Sequence, residues 1–294
     1  MKSATTLLLA LLAVPAAAAT VDETRATGPN PEVSIEAILG TIRVVGWDRN
    51  EVHITGTLGS GVEGLEITAD EDEVDIEVEY PKRHEGKLIN GEANLEISVP
   101  AGADVEIETV KGTIKIENVN GELELQTVLG GITVVGPAAH VEAETVSGDI
   151  RISGSNTEVE ANSVSGAIIV IGATGSIEIS TMNGVIEVDA SAADSVALES
   201  MAGSIEFRGD LAADADLSVE AYSSSVVLVL PSSVSASFEI ETQSGDIDND
   251  FGPQAQRTDG FMPGKTLEFS VGDGSADVSV ECFSGNIKLL KENG

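Results

Sequence analysis

Glycine returns every 18 residues through the middle of this chain, at Gly112, Gly130, Gly148, Gly166 and Gly184. The residues before each glycine repeat with it. Val105-Glu-Ile-Glu-Thr-Val-Lys-Gly112 is followed by Leu123-Glu-Leu-Gln-Thr-Val-Leu-Gly130 and Val141-Glu-Ala-Glu-Thr-Val-Ser-Gly148, then by Val159-Glu-Ala-Asn-Ser-Val-Ser-Gly166 and Ile177-Glu-Ile-Ser-Thr-Met-Asn-Gly184. Gly203, Ser224, Gly245 and Gly285 continue the series at longer intervals, and Gly40 shows the same context near the start. A short fixed period of this kind is the signature of a repeat array in which each unit buries its apolar side only against its neighbours.

Each unit reads as two short strands. In the first, Val105, Ile107 and Thr109 alternate with Glu106 and Glu108; in the second, Ile114 and Ile116 alternate with Lys115 and Glu117. Alternation with period two places one set inside and the other outside. The glycine marks a turn or a close backbone approach where a Cβ would be costly. Turn signals such as Asn120-Gly121, Gly136-Pro137 and Gly154-Ser155 close the unit. The expected fold is all-β: an elongated β-solenoid, single-stranded and β-helix-like, with about 18 residues per two-strand coil and a less regular N-terminal β region. An antiparallel meander would also give short alternating strands. It does not require one residue type at one phase, whereas the inward slot here holds Thr109, Thr127, Thr145, Ser163, Thr181 and Ser200.

The ends divide as follows. Residues 1–19 read as a secretory signal: Lys2, an apolar run from Leu7 to Val14, and small residues at Ala16–Ala19, with cleavage expected near Ala19–Thr20. Residues 20–32 read as a linker, 33–100 as an N-terminal β region or cap with a hairpin loop over Tyr80–Glu92, and 101–250 as the regular repeats. An irregular insertion (251–266) and a C-terminal β coil or cap (267–294) follow. After signal cleavage no segment approaches the length of a membrane span. The expected address is therefore periplasmic, cell-surface or extracellular. The single cysteine, Cys282, excludes an internal disulfide. It falls in the inward Thr/Ser slot, which reads as a buried structural thiol.

The recurring Val-x-x-x-Thr/Ser-Val-x-Gly-x-Ile unit, with Thr145-Val-Ser-Gly-Asp-Ile150, Thr242-Gln-Ser-Gly-Asp-Ile247 and Phe283-Ser-Gly-Asn-Ile287, resembles a bacterial envelope family of candidate adhesins. That is a domain-of-unknown-function (DUF) family of β-strand repeats, and the likeness covers about residues 30–290. The resemblance implies an exported, non-enzymatic, adhesin-like or scaffold role. It defines no catalytic residues.

A net charge of −35 excludes nucleic acid and anionic membrane surfaces as natural partners and favours cations or basic surfaces. The charge is patterned. Glu106, Glu124, Glu142, Glu160 and Glu178 form one outward column on the first strand, while the second strand's outward column is mixed (Lys115, Thr133, Arg151, Ile169, Glu187, Glu206). Stacked carboxylates repel by about 1 kcal/mol per neighbour in water before screening. The five glutamates are accordingly the candidate metal ligands, for weakly held Ca²⁺; otherwise no cofactor is expected. Gly272-Asp-Gly-Ser-Ala-Asp277 echoes a calcium β-roll turn only once. His53, His84 and His140 lack metal-ligand spacing. Arg208-Gly209-Asp210 matches an adhesion tripeptide at an expected strand end, and Lys82, Arg83, His84 and Lys87 form the only basic cluster.

No catalytic residue is singled out. The leading reading is a non-enzymatic adhesin-like or scaffold protein of the envelope that offers a rigid acidic repeat surface to an envelope protein, glycan or cation. The alternatives are a polysaccharide lyase or hydrolase of β-helix type and a cation-binding envelope stress protein. One Trp and two Tyr provide little of the aromatic platform that sugar clefts use, and carboxylates that recur in every unit mark no singular site.

Overall fold

The computed structural model describes residues 10–13, 19–81, 91–156, 158–258 and 264–292. Their regular structure is all β-strand, and no helix among them is long and apolar enough to cross a membrane. The chain forms two units, Met1–Val146 and Ser147–Gly294.

The first unit contains β1 (Ala10–Ala13), β2 (Ala19–Ala26), β3 (Glu32–Trp47), β4 (Glu51–Leu58), β5 (Gly64–Ala69), β6 (Glu73–Glu79), β7 (Ala93–Pro100), β8 (Asp104–Glu117), β9 (Glu122–Leu129), β10 (Ile132–Val135) and β11 (His140–Ser147). Its centre is the parallel pairing of β3 with β8, which sets Val33 beside Val105, Gly40 beside Gly112 and Ile42 beside Ile114. β8 continues onto β9 and β10 with Val105 opposite Leu123 and Ile114 opposite Ile132, each an offset of 18 residues. On the other side of β3, its first half pairs with β6 and its second half with β7. These are extended antiparallel, β6 by β5 and then β1, and β7 by β4 and then β2.

Of the expected hairpin loop at Tyr80–Glu92, residues 82–90 lie outside the described residues; the strands on either side pair with different halves of β3, and the Tyr80 hydroxyl donates to the Leu39 carbonyl at 3.3 Å. The linker of residues 20–32 is largely strand, because β2 supplies backbone partners to the outer side of β4 and buries Val21. Of the expected signal segment, Ala10–Ala13 pairs with Gly64–Ile67, and the rest up to residue 18 lies outside the described residues.

The second unit contains β12 (Ile150–Ser153), β13 (Glu158–Ser165), the long run β14 (Ile168–Pro231), which turns at Gly172, Gly175, Ala192 and Asp214 where φ is positive, β15 (Ala236–Ser244), β16 (Ile247–Asn249), β17 (Gln256–Arg257), β18 (Lys265–Val271), β19 (Ala276–Ser284) and β20 (Ile287–Glu292). β12 and β13 pair in parallel with β14, again at an offset of 18 (Ile150 with Ile168, Val159 with Ile177). In the C-terminal segment, expected as a β coil or cap, β19 and β20 lie inside the ladder. β19 pairs on one side with Asp216–Ala221 of β14 and on the other with β15, and β20 lies likewise between Val226–Pro231 and β16. Antiparallel β18 then covers β15.

Alternation places the core as expected. Val105, Ile107, Ile114 and Ile116 are buried, as are Val278, Val280, Ile287 and Leu289 in the second unit. The inward Thr/Ser slot is buried throughout, from Thr109 to Ser200. Three of the column's hydroxyls donate to the glycine carbonyl of the neighbouring rung, Thr127 to Gly112 at 3.3 Å, Thr145 to Gly130 at 3.2 Å and Thr242 to Gly285 at 3.2 Å, while Ser200 accepts from the Ser224 hydroxyl at 3.0 Å. The glycine itself answers to close approach. A Cβ at Gly203 (φ +140°) would lie 1.8 Å from the Gly184 carbonyl oxygen, and one at Gly130 1.9 Å from that of Gly112.

Candidate interaction surface

The acidic column becomes a face in the first unit because five strands bring their outward residues into register. Glu66 lies opposite Glu77, Glu77 opposite Glu36, and Glu36 opposite Glu108. One row along, Thr68, Asp75, Ser34, Glu106 and Glu124 follow in the same order. Parallel neighbours are about 4.8 Å apart. A recess of about 300 Å³ on this face is lined by Ser34, Glu36, Glu66, Thr68, Asp75, Ile76 and Glu77. Among the described residues no basic side chain pairs with Glu36, Glu106, Glu108 or Glu124.

The cost is visible at Glu106, whose carboxyl pKa is raised, first by burial and then by the charges of Glu124, Glu108, Glu32 and Glu36. A carboxyl with a raised folded pKa binds its proton more tightly in the native state. Its contribution therefore favours the fold below the usual carboxylate range and is lost as pH rises through the raised value. Replacing Glu106 with Gln should raise stability at neutral pH by a few tenths of a kcal/mol, the scale left after solvent screening. Denaturant midpoints at low salt and at molar salt check this: the gain should shrink with salt, and the variant should lose part of the wild type's stabilisation on mild acidification.

The opposite face behaves differently. Arg43 donates to Glu117 at 2.8 and 3.1 Å and to Glu96 at 2.8 Å. Those two carboxylates, Glu117 first, raise the pKa of the Arg43 guanidinium. Lys115 lies beside Thr133 in the first unit, and Arg151 beside Ile169 in the second. In each unit the outward residues of these second strands are mixed in charge.

In the second unit Glu160 lies opposite Glu178, and Glu220, Glu281 and Glu241 stand side by side. Glu142 lies on β11 in the first unit. Among the described residues no three His, Cys, Asp or Glu side chains come together as a metal-holding group; register sets Glu106 beside Glu124 and Glu160 beside Glu178.

The remaining candidates fall into place. Cys282 is buried, its thiol donates to the Ser224 carbonyl at 3.5 Å, and burial pushes its pKa up. Burial and the raised pKa make it a poor nucleophile. Arg208-Gly209-Asp210 lies in the run β14, with Arg208 near Glu206 and Glu292 at 3.5 and 3.6 Å. A Cβ at Gly209 would meet the Ala190 carbonyl oxygen at 2.1 Å, so the glycine serves packing. In the turn at Gly272–Asp277, Asp273 accepts a hydrogen bond from the Ser235 hydroxyl, which lowers the Asp273 pKa. His53 contacts Asp22 at 2.9 Å and stacks on Trp47. Lys82, Arg83, His84 and Lys87 lie outside the described residues.

One surface feature is absent from the sequence reading. After most of the buried slot residues the next residue is apolar yet exposed: Val110, Val128 and Val146 in the first unit, and Val164, Met182, Met201, Tyr222 and Phe283 in the second, the last two following Ala221 and Cys282; after Thr242 it is the polar Gln243. The signal was present, since alternation turns the residue after an inward position outward.

Three solved structures resemble the chain. A candidate cell adhesion protein of Clostridium sporogenes ATCC 15579 is 10% identical over 93% of this chain and 100% of its own, with a TM-score of 0.24. A candidate adhesin of Bacteroides fragilis NCTC 9343 is 11% identical over 92% and 97%, with a TM-score of 0.45. A candidate lipid-binding protein of Parabacteroides distasonis ATCC 8503 is 13% identical over 94% and 97%, with a TM-score of 0.49. No curated protein matches the chain. Residues 60–171 match the family described as Toastrack DUF4097, so the resemblance to a DUF family of β-strand repeats holds across the first regular repeats and the strands before them.

Proposed function

We propose that this is an exported, non-enzymatic, adhesin-like or scaffold protein of the bacterial envelope, built as a β-solenoid of 18-residue coils that offers an acidic face to a protein, glycan or cation. The parallel register at an offset of 18 supports the coil reading. The observation that carries the function is the uncompensated carboxylate face around Glu106, set against an opposite face where Arg43 neutralises its neighbours. A fold that spends stability on one charged face, and not on the other, keeps that face for contact.

The experiment is retention from envelope extract on the immobilised protein, compared with a Glu106→Gln, Glu108→Gln, Glu124→Gln triple variant. The expected result is a protein or glycan held by the native face and released by salt, and lost from the variant. Cleavage of envelope polysaccharide by the purified chain, with nothing retained, would contradict it.

A further inference from the structure

We propose that the second unit docks a basic amphipathic segment of a partner protein along its exposed apolar stripe. The inference rests on the contact role proposed above and specifies the partner's chemistry. Val164, Met182, Met201, Tyr222 and Phe283 are 39, 52, 52, 53 and 47% exposed. Each follows a buried slot residue, from Ser163 to Cys282. Register sets Ser163 beside Thr181 and Ala221 beside Cys282, so the residues that follow are neighbours too. Tyr222 and Phe283 confirm this with rings stacked at 4.8 Å and 4°. Large apolar side chains are not needed at this turn for packing, because the next exposed positions hold Ser165, Asn183 and Ser223. Five half-exposed apolar side chains in a row form a patch on the order of a few hundred Å², comparable to the largest apolar patch of a typical soluble monomer, which is often functional.

Charge selects the occupant. Two residues before the stripe on the same strands stand the exposed Glu199, Glu220 and Glu281, with Glu241 beyond in register with Glu281. Among the described residues none of these four is in an ion pair. The other flank is small and neutral. A second copy would bring the same carboxylates and a charge of −35, and an anionic bilayer would be repelled as well. A segment with apolar residues along one edge and Lys or Arg along the adjoining edge satisfies both rows. Five rungs span roughly 19 Å at the strand spacing, the length of a helix of about 13 residues.

The test uses an 18-residue helical peptide with Leu on one face and Lys on the other, titrated into the full chain at physiological salt. Controls replace Lys with Glu, or Leu with Ser. The Leu/Lys peptide should bind, and both controls should fail. Tyr222→Ser with Phe283→Ser should weaken binding at least tenfold, and Met182→Ser with Met201→Ser, a second pair away from the rings, should do the same, with melting temperature unchanged in both. Glu220→Gln with Glu281→Gln should weaken binding and flatten its salt dependence. Equal binding of the Lys/Ser peptide, or unchanged binding to both stripe variants, would overturn the proposal and leave only general attraction to an acidic protein. So would self-association, or binding to zwitterionic vesicles, that the stripe variants abolish. Retention of an envelope component through the glutamate face of the first unit, with the stripe inert, would sink this inference and leave the proposed function standing.

Discussion

Ending the chain after Ser275 should disorder residues 236–249 as well as remove the residues deleted. β19 and β20 are the rungs that join β15 and β16 to the end of β14, and Val278, Val280, Ile287 and Leu289 are buried there. Burying an aliphatic side chain contributes about 1.5–3 kcal/mol, so four together rival the whole stability of an ordinary domain, about 5–15 kcal/mol. Backbone partners are lost on both sides of the gap in addition. Hydrogen exchange on the truncated protein reads the result directly. The expected pattern is loss of protection over 236–249 together with 217–230. Full protection of 236–249 would mean that this coil stacks directly on β14 and that the inserted order is wrong.

The second large effect is expected at Gly203. Its backbone has φ +140°, and a Cβ would lie 1.8 Å from the Gly184 carbonyl oxygen. That obstacle is backbone held in a ladder, so relief requires the rungs to part. Gly203→Ala should cost about 3 kcal/mol or more, the sum of conformational strain and a displaced ladder contact. Gly252→Ala serves as the comparison, because its nearest neighbour would be the Phe269 ring at 4.0 Å. That variant should stay within about 0.5 kcal/mol of the parent. Denaturant midpoints compare the two, and equal effects would show that the glycine column reflects turn preference rather than close approach.

What was legible in the sequence follows from what period-two alternation encodes. It assigns each residue a side, so the buried Ile114 and Ile116, the Thr/Ser column and the outward glutamates could all be read. It does not say which rung lies next to which. Val278-Ser-Val-Glu-Cys282 and Phe238-Glu-Ile-Glu-Thr242 have the same phase, and either could follow Leu217-Ser-Val-Glu-Ala221. The inserted order is therefore a property of the folded register. The same limit hid the division of β6 and β7 between the two halves of β3. The apolar stripe is a different case: Val110 and Met182 are apolar in type, and their position after an inward residue makes them surface. At Arg208-Gly209-Asp210 a tripeptide with a functional association lies where the ladder needs a glycine.

The central claim is that residues 18 apart are side-by-side neighbours in parallel rungs, and a cross-link tests it most directly. In a Cys282→Ser background, Glu160→Cys with Glu178→Cys places two thiols on adjacent rungs in register, within the reach of disulfide geometry. Asn162→Cys with Ile169→Cys places them where an antiparallel meander turning at Gly166 would bring them together. Parallel rungs predict rapid intramolecular disulfide formation in the first pair under mild oxidation and none in the second. Cross-linking of the second pair with the first left reduced would contradict the coil.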